Sequence, residues 1–296
     1  MRLRILRASL SMALLWAAVV TAQQREGALD LATVLERAGD KVEQYFARAQ
    51  SLVCLETVRL QPLSSGLSPA GFGRTVQSEL RLSWDPFAPS DAPPEARTLR
   101  QVLKVNGHEP RKNDNDNCTT PEQQSSETQP LSMLLPGQRK NYVFSLASPG
   151  KIDGRVVLVV DYRLTTKATV EVKEVEGKDD CISYDVDGGL RGKLWIDPGT
   201  FEVLRLDEGL GGLIDIILPR RVARRPGIND RWVLERMDTS IRFKAVAFKD
   251  PDETLMLPAS ASSLRVTHGA GTPRLRTSIE YAGYRRFLTG ARVVPQ

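Results

Sequence analysis

Two histidines, His108 and His268, are the only imidazoles that the chain offers for acid–base catalysis or metal binding. They lie about 160 residues apart, and neither belongs to a His-Glu-x-x-His sequence or to another metal-ligand spacing. The sequence "HGAG", which begins at His268, resembles the oxyanion loop of an esterase, but no Gly-x-Ser-x-Gly nucleophile motif accompanies it. We therefore interpret "HGAG" as a turn at the end of a strand.

Oxygen-bearing side chains suited to calcium alternate in "DNDNC", which begins at Asp114. This sequence lacks the glycine at the sixth loop position and the glutamate at the twelfth that an EF-hand requires. The chain also has no glycine-rich phosphate-binding loop. The sequence therefore predicts a protein that is not an enzyme and that has no catalytic residues, metal or cofactor.

The three cysteines, Cys54, Cys118 and Cys181, allow three different disulfide pairings, each of which leaves one cysteine single. Cys118 and Cys181 lie in polar stretches rich in turn formers, "KNDNDNCTTPE" and "GKDDCISYD". Cys54 lies in the apolar run "SLVCLETV", where a free thiol behaves as a small buried hydrophobic side chain. We favour a Cys118–Cys181 disulfide, which would close a loop of about 60 residues and contribute up to roughly 4 kcal/mol.

The densest group of positive charges lies in "LPRRVARRPG" and consists of Arg220, Arg221, Arg224 and Arg225. The simplest interpretation of this basic cluster is a solvated loop between strands. The alternative is a contact with an anionic lipid headgroup at the rim of a binding cavity. Because a nucleic-acid-binding protein would show a larger clustered surplus of basic residues, we expect no nucleic-acid partner.

The first 22 residues predict export. Three arginines precede an uncharged stretch from Ala8 to Val20, and Val20-Thr21-Ala22 supplies the small residues of a cleavage site. We interpret 1–22 as a signal peptide, whose removal leaves 38 basic and 36 acidic side chains and a net charge of +2. No cysteine follows it that could carry a lipid anchor, and no later apolar run approaches the roughly 18 residues that span a bilayer. We expect a periplasmic or secreted protein that is not transmembrane after processing.

The mature chain combines one helix with many strands. From Leu31 to Ala49, apolar side chains, among them Val42 and Phe46, recur at three- and four-residue spacing behind Asp30, which predicts a capped amphipathic helix. After Gln50 the pattern alternates, and about a dozen strand-like runs follow, separated by short turns. The last three runs are "WVLERMDTSIRFKAVAF", "SSLRVTH" and "RLRTSIEYAGYRRF".

Short turns between consecutive strands require antiparallel pairing. The fold class that we predict is mainly β within the α+β class, with a single large curved antiparallel sheet. One domain would cover 23–296, with a polar insertion near 112–129. The insertion leads into "PLSMLLPG", which we interpret as a short helix or apolar plug over the sheet.

The hairpin "GKLWIDPGTFEVLRLD" places Leu194 and Ile196 on one face of its first strand, and Lys193, Trp195 and Asp197 on the other. On the return strand Phe201 and Val203 alternate with less uniform side chains. Neither face is cleanly polar, and Pro198 rules out the tight primed turns, so the register stays open. A sheet with apolar residues on both faces would suit a curved structure that has a core on one side and a cavity or helix on the other.

The order of these elements resembles the superfamily of the periplasmic outer-membrane lipoprotein carrier (LolA-like). The chain shares with it an exported start, an opening amphipathic helix, the strand "GKLWID" with its proline-containing turn, and the late aromatic-basic strand "IEYAGYRRF". The resemblance implies an unclosed half-barrel with a helical cover, in which the best-known members hold acyl chains. This chain is longer and carries the polar insertion.

The resemblance implies a non-enzymatic protein that binds an apolar small molecule, a lipid or a lipoprotein acyl chain. The alternative is a periplasmic protein–protein interaction or stress-sensing module without a lipid ligand, which would dock an envelope protein. An apolar cavity would favour the first function, and a filled core with an apolar outer patch would favour the second. The candidate cavity residues are Leu194, Ile196, Phe201, Val203, Val42 and Phe46.

Overall fold

The computed structural model describes residues 29–49, 51–84, 96–111, 114, 131–174, 182–223 and 230–286. The helices are α1 (Leu31–Arg48), α2 (Pro136–Arg139) and α3 (Arg220–Ala223), with a 3₁₀ turn at Ser132–Leu134. The strands are β1 (Leu52–Pro62), β2 (Arg74–Trp84), β3 (Ala96–Val105), β4 (Tyr142–Leu146), β5 (Gly150–Ile152), β6 (Arg155–Leu164), β7 (Thr169–Glu174), β8 (Ile182–Asp187), β9 (Leu190–Ile196), β10 (Val203–Leu210), β11 (Ile214–Ile217), β12 (Arg231–Lys249), β13 (Asp252–His268) and β14 (Arg274–Arg286).

Several of the sequence predictions fall outside these ranges. They are the signal peptide 1–22, the disulfide Cys118–Cys181, Arg224, Arg225 and, except for Asp114, the polar insertion 112–129.

Helix α1 forms as its sequence predicts. The Asp30 side chain accepts a hydrogen bond from the Thr33 backbone nitrogen at 2.8 Å, which satisfies one of the free N–H groups of the first turn. The residues that α1 buries recur on one face, and they are Val34, Ala38, Gly39, Val42 and Phe46. Because this stripe faces the sheet, tertiary packing stabilises the helix.

The large sheet contains 12 strands, and its main path runs β3-β2-β1-β14-β13-β12-β10-β9-β6-β4. β5 pairs with β6 and β11 pairs with β12, outside this path, and every pairing is antiparallel. The path ends at β3 on one edge and at β4 on the other, so the sheet is open. This is the unclosed antiparallel sheet that the sequence predicts. β7 and β8 form a separate hairpin.

Strand β13 is longer than the sequence predicts. The alternating pattern indicates a strand only from Ser262, whereas β13 begins at Asp252. Pro258 argues against a strand in the first half of β13, since proline cannot donate a ladder hydrogen bond and usually lies outside central strands. The structure accommodates it with a shift in register between Arg242 and Phe243 of β12, directly opposite this proline.

Two hydrophobic cores lie on the same face of the sheet. In the larger core, α1 and the segment 131–139 pack against strands from β1 to β14. The smaller core lies beneath the β7–β8 hairpin and is built around Ile216, Trp232 and Leu234. We call this side of the sheet the helix face and the opposite side the open face.

The β9–β10 hairpin turns through an Asp-Pro-Gly-Thr loop held by one carboxylate. Asp197 accepts hydrogen bonds from the backbone nitrogens of Gly199 at 2.8 Å and Thr200 at 2.9 Å. Phe201 then takes a positive φ of 61°, and the register pairs Leu206 with Leu194. The predicted facing of the first strand is correct, because Leu194 is buried on the helix face whereas Lys193 is exposed. On the return strand, the register shift between Val203 and Arg205 brings Leu206 into the same core as Val203, although alternation alone places them on opposite faces.

No helix in the described ranges has the length and the apolar character needed to cross a lipid bilayer.

Candidate functional site

The structure brings the six predicted cavity residues together in the larger core. Their exposed fractions run from 0% for Leu194 and Ile196 to 7% for Phe46, and the others are Val42, Phe201 and Val203. Val42 of α1 and Val203 of β10 line the same small cavity. The layer between helix and sheet is therefore apolar and largely filled.

Two elements form what we call the helical cover, namely α1 and the segment 131–139. The predicted apolar plug is correct, because the segment buries Leu131, Met133, Leu134 and Leu135. The Arg139 side chain donates to the Leu134 carbonyl at 2.7 Å and passes beside Gly39 of α1. An added Cβ at Gly39 would meet that carbonyl oxygen at 2.8 Å, so glycine permits the close approach of the two elements.

Polar contacts at both ends hold α1 on the sheet. The Arg37 guanidinium lies 4.4 Å from the centre of the Phe201 ring, in a cation–π contact with the hairpin loop. At the other end of the helix, Arg286 of β14 donates to the Arg48 carbonyl at 2.6 Å. Basic donors suit this end because its carbonyl groups are unpaired.

Beneath the helical cover, the described residues enclose at least two cavities. The first has a volume of about 110 Å³ and lies at the edge of α1, where apolar side chains such as Val42 and Met256 meet the charged residues Lys41, Arg48 and Glu202. The second is about 40 Å³ and is lined by apolar side chains and by Arg100. Tyr45 borders both cavities.

A buried ion pair lies beside the second cavity. Arg100 of β3 donates from Nε to Glu56 Oε2 at 2.8 Å and from Nη2 to Oε1 at 3.2 Å. Cys54 lines the same cavity as a free, buried thiol, as the sequence predicts. Burial, with a smaller contribution from the Glu56 charge, raises the pKa of Cys54 to about 12, so the thiol is a poor nucleophile at neutral pH.

The described part of the basic cluster, Arg220 and Arg221, lies on α3 and is exposed. Helix α3 follows β11 and Leu218, which belong to the smaller core. Among the described residues that line the two cavities, none comes from this cluster. A role for it at the rim stays a prediction.

The open face carries a much larger depression, which we call the trough. Its volume is about 960 Å³, and it crosses seven strands, β4, β6, β9, β10, β12, β13 and β14. Alternate residues of these strands provide its side chains, for example Lys193 of β9 and Ser262 of β13. Charged and hydroxyl groups dominate, with Val143 and Leu264 among the apolar exceptions.

Each aspartate that lines the trough forms an ion pair with a lysine or an arginine. Lys193 lies 2.6 Å from Asp161, Arg205 lies 2.7 Å from Asp207, and Arg236 pairs with Asp238. The Trp195 indole also donates to Asp207 at 2.8 Å, and the Arg205 guanidinium lies 5.3 Å from the centre of that ring. We call the three salt bridges Lys193–Asp161, Arg205–Asp207 and Arg236–Asp238 the trough ion pairs.

On the helix face, a tyrosine and a glutamate meet between the two cores. The Tyr162 hydroxyl donates to Glu208 Oε2 at 2.7 Å. Burial raises the pKa of the Glu208 carboxyl, and the hydrogen bond from Tyr162 opposes this shift. Burial likewise raises the pKa of Tyr162 far above its usual value. Burial thus shifts the titration of this carboxyl group to higher pH, whereas the Tyr162 hydrogen bond stabilises its charged form.

The two histidines do not join a catalytic group. His268 Nε2 lies 2.5 Å from Glu235, and His108 Nδ1 lies 2.8 Å from the Glu109 carbonyl oxygen, with both contacts exposed. Among the described residues, no three His, Cys, Asp or Glu side chains converge as a metal site would need. The strand-end turn predicted for "HGAG" is correct, since β13 ends at His268.

The sequence interpretation missed the trough and the Tyr162–Glu208 pair. The charges alternate visibly in Arg191, Lys193, Arg205 and Asp207, and this was the available signal. The trough becomes visible only when seven strands lie in their observed order, because its residues come from positions 143 to 276. That order is not contained in any local pattern.

No protein-family model matches this sequence, and no curated protein matches it significantly. Among solved structures, the chain is similar to an outer membrane lipoprotein-sorting protein domain from Vibrio parahaemolyticus. The identity is 12% and the TM-score is 0.44, over 88% of this chain and 94% of that one.

Two further structures match at similar coverage. A DUF1329 family protein from Desulfovibrio piger has 10% identity and a TM-score of 0.42, over 88% of this chain and 94% of that one. A LolA superfamily protein from Nitrosomonas europaea has 9% identity and a TM-score of 0.35, over 91% of this chain and 99% of that one. At these scores the fold description rests on the strand order and cores given above.

Proposed function

We propose that this chain is an exported, non-enzymatic binding protein that takes an apolar ligand, a lipid or a lipoprotein acyl chain, between the helical cover and the sheet. The observation that carries this proposal is the apolar layer beneath α1, which is interrupted by two cavities on either side of Tyr45. The predicted signal peptide supports export, which would bring the protein into contact with envelope lipids.

The cavity volumes set the size of the guest. A dry cavity of about 150 Å³ accepts one benzene molecule, so the two present cavities would hold only a small apolar group. A longer chain would need the volume of the Tyr45 ring, or a displacement of α1. Each Å² of apolar ligand surface removed from water would contribute about 25 cal/mol toward that rearrangement.

Tyr45 offers the sharpest test, since replacing it joins the two cavities. Fluorescent fatty-acyl probes should bind saturably to the delipidated protein, and Tyr45→Ala should bind a long probe several-fold more tightly. Glu43→Ala, which changes an exposed residue of the same helix, is the matched control and should leave binding unchanged. If the Tyr45→Ala protein does not fold, Tyr45→Leu can replace it, because it enlarges the cavity by a smaller volume.

The proposal fails if neither the wild type nor either Tyr45 variant binds any acyl probe while circular dichroism shows a folded protein. A second measurement is mass spectrometry of lipids that copurify with the protein from its native envelope. If the proposal is wrong, it should find no lipid in stoichiometric amount.

A second candidate function is the docking of an envelope protein by strand addition at β3. This strand ends the sheet path, and its Leu99 is 60% exposed and its Leu103 40% exposed. An edge strand with exposed apolar side chains can accept a partner strand. A photo-crosslinking residue at position 99 should capture one discrete partner, whereas the same residue at the exposed position 59 of β1 should not.

A further inference from the structure

Three arginines of the trough have no partner among the residues that the structure describes. Within the described part of the chain, Arg163, Arg191 and Arg276 make no hydrogen bond or ion pair, because each acid in the trough ion pairs is already matched. Glu208 also lines the trough, and its carboxyl group accepts a hydrogen bond from Tyr162 and has no arginine or lysine partner among the described residues. The trough therefore carries a local excess of positive charge.

Two of these arginines lie directly opposite each other. Arg163 of β6 pairs in register with Arg191 of β9, so their Cβ atoms lie about 5 Å apart on one face of the sheet. Like charges at directly opposite positions repel and destabilise a sheet. An anion held between the two guanidinium groups would remove this repulsion.

The neighbour of Arg191 on β10 is a glycine. Gly209 of β10 is its partner on the other side, and it carries no side chain into the trough. An added Cβ there would approach the Asp238 carboxylate to 3.0 Å. The Asp238 carboxylate, which is paired with Arg236, thus lies against Gly209, and the unmatched positive charge of this region is that of Arg163 and Arg191.

We propose that Arg163 and Arg191 form a binding site for a phosphate group, and that the rest of the phosphorylated molecule lies along the trough. A phosphate carries nearly two negative charges and three acceptor oxygens, which match two guanidinium groups better than a single carboxylate does. Ser240 and Ser262, farther along the trough, provide hydroxyl groups suited to a polar remainder.

The same phosphate chemistry has two sources, a soluble phosphorylated molecule or a phospholipid headgroup. This site lies on the open face, opposite the helical cover. Acyl-probe binding beneath α1 and phosphate binding in the trough can therefore succeed or fail independently.

The test compares two double variants that remove the same charge. Arg163→Gln/Arg191→Gln removes the proposed site, and Arg59→Gln/Arg242→Gln removes two exposed arginines of β1 and β12 that lie outside the trough. Sodium phosphate is titrated by isothermal calorimetry at constant ionic strength, and all proteins are checked by thermal melting. We expect saturable binding that weakens by about tenfold or more in the first variant. The control should stay within about twofold of the wild type.

A second arm identifies the source. The proteins are sedimented with vesicles of phosphatidylcholine alone or mixed with phosphatidylglycerol. Vesicle binding that Arg163→Gln/Arg191→Gln abolishes and the control retains assigns the site to a lipid headgroup. Calorimetric binding without vesicle binding assigns it to a soluble phosphate. The proposal is overturned if phosphate binding is absent from the wild type, or if the two double variants lose equal affinity.

Discussion

Arg100 and Glu56 form a two-point ion pair inside the protein, with Glu56 only 1% exposed and the Arg100 side chain 12% exposed. The pair links the edge strand β3, across β2, to β1. Breaking a buried pair by removing one partner leaves an uncompensated charge, which typically costs about 3 to 5 kcal/mol.

Arg100→Met should therefore lower the free energy of unfolding by roughly 3 kcal/mol or more, as measured by urea denaturation at pH 7. Lys193→Ala, which breaks a half-exposed ion pair, is the control and should cost no more than about 1 kcal/mol. Equal losses for the two variants would mean that the Arg100–Glu56 pair is solvated.

Val42 offers a test of how α1 is seated. Val42→Asp would place an unpaired carboxylate in the apolar layer, and should lower the free energy of unfolding by roughly 3 kcal/mol or more. Gln44→Asp adds the same charge at an exposed position of the helix and should have a small effect. A Val42→Asp protein that melts within a degree of the wild type would show that α1 does not pack on the sheet.

The Cys54 thiol should resist alkylation. Its pKa of about 12 in the folded protein exceeds the ordinary value of 9.0, so the unfolded chain releases this proton more readily. The stability that this group contributes is present below pH 9.0 and is lost as the pH rises toward 12. Cys54→Ala should therefore unfold with a shallower loss of stability over that alkaline range than the wild type shows.

Thiol counting tests the disulfide prediction at the same time. Iodoacetamide at neutral pH should label no cysteine in the folded protein and one after denaturation without reductant, because Cys118 and Cys181 are predicted to be bridged. Labelling of three cysteines in denaturant, or a linked peptide that contains Cys54, would contradict the pairing.

Glu208 should make stability depend on pH. Its carboxyl has a pKa raised above the ordinary 4.5 by burial, so its contribution to stability is present below pH 4.5 and is lost as the pH rises through the folded value. Glu208→Gln keeps an acceptor for Tyr162 and should be more stable than the wild type at pH 8, with no advantage at pH 4. Glu36→Gln, exposed on α1, serves as the control, and a gain for Glu208→Gln that does not vary with pH would refute the prediction.

Tyr162→Phe tests the same pair from the other side. Without its donor, the buried Glu208 carboxylate should be destabilised at pH 8 by roughly 1.5 to 3 kcal/mol, and less at pH 4. Urea denaturation at the two pH values measures this difference. Equal losses at both would indicate a packing effect of the lost hydroxyl alone.

Local patterns predict much of this fold because the physics that they report is local. The cap at Asp30, the buried stripe of α1 and the inward direction of Leu194 follow from residue spacing alone. The first half of strand β13 was not predicted because Pro258 is unfavourable in a central strand. A register shift in the partner strand accommodates it. The trough was not predicted because Arg163 and Arg191 are 28 positions apart, and no pattern within either strand shows that the two residues pair.

Strand β1 lies in the interior of the sheet, and one of its two neighbours is β14, with Leu60 opposite Thr277. Until residues 274–286 have left the ribosome, β1 to β3 can form only a detached three-stranded layer with an unpaired interior edge. Contacts this distant along the chain form slowly, because the loop entropy is lost before they stabilise anything. Synthesis of the last strand should therefore be the event that commits the whole sheet to its final pairing, and a chain terminated before β14 should remain open to proteases and to transport machinery that requires unfolded substrates.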